Sequence, residues 1–87
     1  MAAMTPTERK LLRAIVALPE RTVISKPRRG IWMLGRERDC GARARWQTFD
    51  ALKRRGYIAI TYGFAMATYV EATEAGRQAA PTSGGEV

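Results

Sequence analysis

Arg43, Gln47 and Thr48 are the residues whose types and spacing point most directly to chemistry. That chemistry is hydrogen bonding rather than catalysis. They stand in the stretch RARWQTFDALKRRGYIAI, residues 43–60. On a helix they fall, with Ala44, toward the N-terminal half of one face. Arg can bond guanine O6 and N7 together, Gln can do the same with adenine N6 and N7, and Ala or a Thr methyl can approach a thymine methyl. The N-terminal part of a recognition helix is the part that reaches base edges.

The charge around this stretch strengthens the reading. Residues 21–55 carry eleven Lys or Arg against Glu37, Asp39 and Asp50, a local net of +8, while the rest of the chain has four basic and five acidic residues. Positive charge concentrated in this way favours a surface that faces a polyanion. Arg28, Arg29, Arg36 and Arg38 are then candidate phosphate contacts, which position a protein without reading sequence. Arg45, Arg54 and Arg55 complete the candidate DNA-binding set.

Enzymatic chemistry finds little to work with. The chain has no histidine, which removes imidazole acid–base catalysis and the usual Cys–His pair. Cys40 is the only cysteine, so no Cys/His set can hold zinc and no intrachain disulfide can form. A neighbouring Arg38 and a helix start could make Cys40 a redox-sensing thiol, but a packed cysteine is the favoured reading. Glu37 and Asp39 sit among Arg36, Arg38 and Arg43, which would hold them ionised and paired. The expectation is a non-enzyme without metal or cofactor. A lone cysteine and the absence of a secretion signal or an apolar run of membrane-spanning length suggest a cytoplasmic protein, nucleoid-associated if it binds DNA.

The elements that must position these residues can be read from periodicity. TPTE at 5–8 has a capping residue, Thr5, a proline suited to the first turn, and Glu8 to close a capping box. Leu11, Leu12, Ile15, Val16 and Leu18 then form one apolar stripe, predicting a helix over 6–18. A second helix is expected over 41–55, with Ala42, Trp46, Phe49 and Leu52 facing the core. Gln47, Thr48, Ala51, Arg54 and Arg55 would point away, and Arg45 would lie at the edge of the apolar arc. Lys53, Arg54 and Arg55 suit the negative end of the helix dipole, and Gly56 suits a left-handed cap. Alternation predicts an antiparallel hairpin of 57–62 and 66–71, followed by a short helix from Thr73 within 73–80. IWML at 31–34 is too short to assign to helix or strand. One domain, residues 1–80, and a disordered tail, 81–87, follow.

In the phrase TFDALKRRGYIAI, followed by YVEATEAGR, the chain resembles the winged helix-turn-helix domains of bacterial transcriptional regulators, the MarR-like group especially. Leu52, Arg55, Gly56 and Ile58 match the end of that family's recognition helix, and Ala72, Thr73, Gly76 and Arg77 match the return from its wing. The resemblance spans about residues 42–79. It implies an α+β winged-helix fold, helices plus a C-terminal two-stranded wing and a short last helix. It also implies a small regulator that binds double-stranded DNA with helix 41–55 in the major groove. A homodimer is expected, because one domain of this size buries little groove.

Two departures accompany the resemblance. IWMLGRERDCG is short, charged and interrupted by glycine where the family has a helix, so a strand could replace it. The wing TYGFAMAT contains no Lys or Arg. Its Tyr62, Phe64 and Met66 suggest a protein contact, which frames the alternative: an adaptor or inhibitor that binds an acidic protein through the basic face and the hairpin tip.

Overall fold

The computed structural model describes residues 4–18, 21–36 and 41–80. Cys40, Arg38, Glu37, Asp39 and the expected tail 81–87 lie outside the described residues. The chain is a small α+β domain, a five-stranded antiparallel sheet with three helices.

Helix α1 runs over Pro6–Val16, somewhat shorter than the stripe suggests. The expected capping box is formed. Glu8 N–H donates to Thr5 Oγ1 at 3.1 Å, and Thr5 N–H donates to Glu8 Oε1 at 3.0 Å. Leu11, Leu12 and Ile15 are buried against the sheet and the helix that begins at Trp46.

The open stretch after α1 folds as strands. β1 (Thr22–Arg28) turns through Arg29 and Gly30 into β2 (Ile31–Leu34), pairing Arg28 with Ile31 and Ser25 with Met33. Gly30 has φ +80° at the second turn position, a left-handed conformation that favours glycine. Pro27 falls at the register irregularity between Ser25 and Arg28, beyond the Thr22–Ile24 segment that pairs with Thr68, Tyr69 and Val70. A residue without an N–H is tolerated there because the ladder asks little of it.

The largest correction concerns residues 41–55. The helix begins only at Trp46: α2 spans Trp46–Arg54, and Arg43–Arg45 form a short strand, β3. β3 pairs with β2 through Ile31↔Arg45, Trp32↔Ala44 and Met33↔Arg43. Cross-strand hydrogen bonds to β2 hold these three residues extended, so Arg43 and Ala44 do not lie on the helix face. Arg45 becomes the helix N-cap, and Ala42 is exposed outside the helix.

The end of α2 closes as expected: Tyr57 N–H donates to Leu52 O at 3.1 Å and Gly56 N–H to Lys53 O at 2.9 Å, with Gly56 at φ +79°. β4 (Ile58–Tyr62) and β5 (Thr68–Ala72) form the hairpin, joined by one 3-10 turn at Phe64–Met66. Helix α3 (Glu74–Ala79) starts on Thr73, whose side-chain oxygen accepts from Gly76 N–H at 3.1 Å and whose hydroxyl donates to Gly56 O at 2.6 Å. That one threonine ties the end of α2 to the start of α3. The strand order is β3-β2-β1-β5-β4. The core beneath the helices gathers Leu12, Ile15, Ile24, Phe49, Leu52, Ile58 and Val70, each nearly or fully buried.

A second correction concerns Trp46. Expected in the core, it is 43% exposed. Its place beside Phe49 is taken by Trp32 of β2, with ring centroids 5.4 Å apart. Among the described residues no helix is long and apolar enough to cross a membrane.

Candidate nucleic-acid interface

The candidate site is built where the β1–β2 turn meets the start of α2. Trp46 N–H donates to Gly30 O at 3.0 Å, fastening the turn to the first residue of the helix. β3 runs into α2 without a linker, so its register against β2 also sets where the helix starts. Arg45, paired with Ile31, therefore stands beside the turn. Arg29, Gly30, Ile31, Arg45 and Gln47 together line an open depression of about 330 Å³.

Three residues separated along the chain thus converge: Arg29 from the turn, Arg45 from the N-cap and Gln47 from the first helical turn. All three are exposed. Arg45 has no side-chain capping hydrogen bond. Two cations beside a Gln amide can offer charge and directional donors to a phosphate or a base edge. Arg43 is exposed two residues earlier on β3 and shares the strand face of Arg45, since alternate residues of a strand point the same way.

The outward face of α2 differs from the expected one by about one residue. Trp46, Gln47, Lys53 and Arg54 are exposed, whereas Thr48, Asp50, Ala51 and Arg55 are half-buried. The cause is α1, which packs along α2 and covers that side. Arg55 Nη2 lies 3.5 Å from Glu8 Oε1 of α1, with both side chains largely shielded. Arg55 thus joins two helices. Arg54 is exposed, and its Nε pairs with Asp50 Oδ2 at 2.9 Å one turn earlier. Charge pairs in such exposure contribute little stability, but they orient the guanidinium.

Of the remaining expected residues, Arg28 and Arg36 are exposed, at the end of β1 and just after β2. Arg38 lies outside the described residues. Two further basic residues stand outside the expected DNA-binding set. Lys53 is exposed on α2, and the Lys26 ammonium sits 5.2 Å from the Trp32 ring centroid. Nothing in the local pattern marks Lys26, because only the hairpin brings it over Trp32.

The hairpin is different in character. Tyr62 is 70% exposed and Phe64 96% exposed, and no Lys or Arg occurs between Arg55 and Arg77. Among the described residues, no group of three or more His, Cys, Asp or Glu side chains stands together as a metal site.

No protein-family model matches the chain. No curated protein and no solved structure matches it either.

Proposed function

We propose that this chain is a small DNA-binding regulator of transcription that presents α2 to the major groove. The observation that carries the reading is the convergence of Arg29, Arg45 and Gln47 on one depression at the foot of the exposed face of α2. In this reading Arg29, Arg45, Arg43 and Lys53 contact phosphates, and Gln47, Asp50 and Arg54 meet base edges. Gln suits adenine, Arg suits guanine and a carboxylate accepts from cytosine N4. The Asp50–Arg54 pair holds the guanidinium in a defined place for that contact.

The element order supports a winged-helix variant. A helix, a strand that pairs with the second hairpin strand, a basic helix and then the hairpin follow one another as in that family. β2 and β3 stand where the family has the first helix of the helix-turn-helix. They supply the support that such a helix would give, with Trp32 packed on Phe49.

The test is fluorescence anisotropy with the upstream duplex of the protein's own coding region and with mixed-sequence duplexes, across a salt series. Preference for one duplex at ~150 mM salt supports the regulator reading. Equal, steeply salt-dependent binding to all leaves a sequence-independent DNA binder, and no binding at low salt removes DNA as the partner.

A second reading is favoured by the hairpin. Its exposed Tyr62 and Phe64 and its lack of cations suit a protein contact better than a phosphate. An adaptor of this kind would hold an acidic protein on the basic face.

A further inference from the structure

The two edges of the sheet are unlike. β3 is three residues long and carries Arg43 and Arg45. Short length and charge are the usual guards against edge-to-edge pairing. β4, at the opposite edge, is Ile-Ala-Ile-Thr-Tyr, with no charge and no proline. Its pairing with β5 is regular from Ile58↔Ala72 to Tyr62↔Thr68, so no bulge twists it away.

The direction of its free backbone groups can be derived. Tyr57 O accepts from Thr73 N–H at 3.0 Å, and Gly63 N–H donates to Ala67 O at 2.7 Å. Both pairs continue the β4–β5 register, and hydrogen-bonded pairs alternate in an antiparallel ladder. The odd-numbered residues of β4 therefore bond to β5. The N–H and C=O groups of Ile58, Ile60 and Tyr62 point out from the open edge, and among the described residues nothing pairs with them.

We propose that this edge pairs with the same edge of a second copy of the chain, making a two-fold dimer with one continuous antiparallel sheet. Placing Ile60 opposite Ile60 of the second copy puts Ile58 opposite its Tyr62. Every outward group of the segment then finds a partner, and the arrangement is self-complementary as a two-fold interface must be. Small residues meet on one face, where Ala59 stands opposite Thr61 of the second copy. The register also carries each hairpin tip toward the Gly56–Ile58 start of the other strand, which brings the exposed Tyr62 and Phe64 into the interface.

Charge selects a second copy as the occupant. Residues 56–76 hold Glu71 and Glu74 and no cation, while the chain as a whole carries +7. Two such molecules repel where their cation-rich residues 21–55 would face each other, and this hairpin lies outside that stretch, where they can approach with less cost. The inference is independent of the DNA reading, because it rests on the sheet edge alone.

Sedimentation velocity on the full chain over a concentration series, without DNA, tests it. The unmodified chain is expected to show a monomer–dimer equilibrium. Thr61→Lys adds an edge cation at an exposed position, and Tyr62→Pro removes one outward N–H without touching the ladder to β5. Each should weaken dimerisation at least tenfold, about 1.4 kcal/mol, with the far-UV circular dichroism of the parent retained. Thr61→Lys decides alone if the proline chain loses that spectrum. A chain that stays monomeric at every concentration, or a dimer as tight in the Thr61→Lys protein as in the parent, overturns the proposal.

Discussion

Trp32 and Phe49 stack with their ring centroids 5.4 Å apart and their planes tilted by 52°. The indole that completes the core beside α2 therefore comes from β2. Phe49 is fully buried and Trp46 is 43% exposed. Truncating Phe49 to Ala should cost about 3–5 kcal/mol, the range for a large side chain removed from a packed core. Trp46→Ala should cost less than about 1 kcal/mol, as for a surface position away from the core. Urea unfolding of both proteins measures the contrast, and equal losses would place both rings in the core.

Glu8 serves two partners with one oxygen. Its Oε1 accepts from Thr5 N–H at 3.0 Å and lies 3.5 Å from Arg55 Nη2. Glu8→Gln keeps the capping box, since Gln fits that position, and should lose only the ion pair, about 0.5 kcal/mol for a partly shielded contact. Glu8→Ala loses both and should cost about 1–2 kcal/mol. Thermal unfolding should order the three proteins accordingly; a glutamine chain as unstable as the alanine chain would show that the ion pair dominates.

Thr68 is 2% exposed in β5, and among the described residues its Oγ1 has no hydrogen-bond partner. A buried hydroxyl without a partner carries a desolvation cost that an apolar group of the same shape avoids. Thr68→Val should be neutral or stabilising by about 1 kcal/mol. A clear loss of stability by chemical denaturation would mean that the hydroxyl finds a partner in solution.

Gly30→Ala tests the turn that holds Arg29 beside Arg45. An alanine at φ +80° is strained, and the expected cost is about 1 kcal/mol. Among the described residues no atom lies within 4 Å of the added Cβ, so the effect comes from backbone conformation alone. Restoration by Gly30→Asn, which tolerates this conformation better, would separate strain from any effect of side-chain size.

If α2 meets DNA, Arg29→Ala and Arg45→Ala should each reduce the log–log salt slope by about 1, uniformly across sequences. Gln47→Ala and Arg54→Ala should instead cost about 1–3 kcal/mol on the preferred duplex and little on the others. The same loss on every duplex from the latter pair would assign them to the backbone.

Much of the framework is local and was legible in the chain. Thr5, Pro6 and Glu8 announce the start of α1 because capping chemistry is decided within four residues. The alternation from Ile58 to Tyr62 and the cap at Thr73 mark the hairpin and α3 for the same reason. What misled was residues 41–45, where Ala42 and Trp46 fit a helical period that strand pairing overrides. A period describes what a segment can do alone, and the partner strand β2 lies ten or more residues away.

The amino-acid sequence by itself determined the α+β class, the concentration of positive charge in residues 21–55 and the two strongest helical stripes. These follow from residue type and short-range spacing. Only the tertiary structure decided that β2 and β3 form where a helix was conceivable and that α1 shields one side of α2. It also decided that Arg29, Arg45 and Gln47 share one depression. Those outcomes depend on which distant segments pair and pack, and a strand's own residues do not say which distant strand it will bond to.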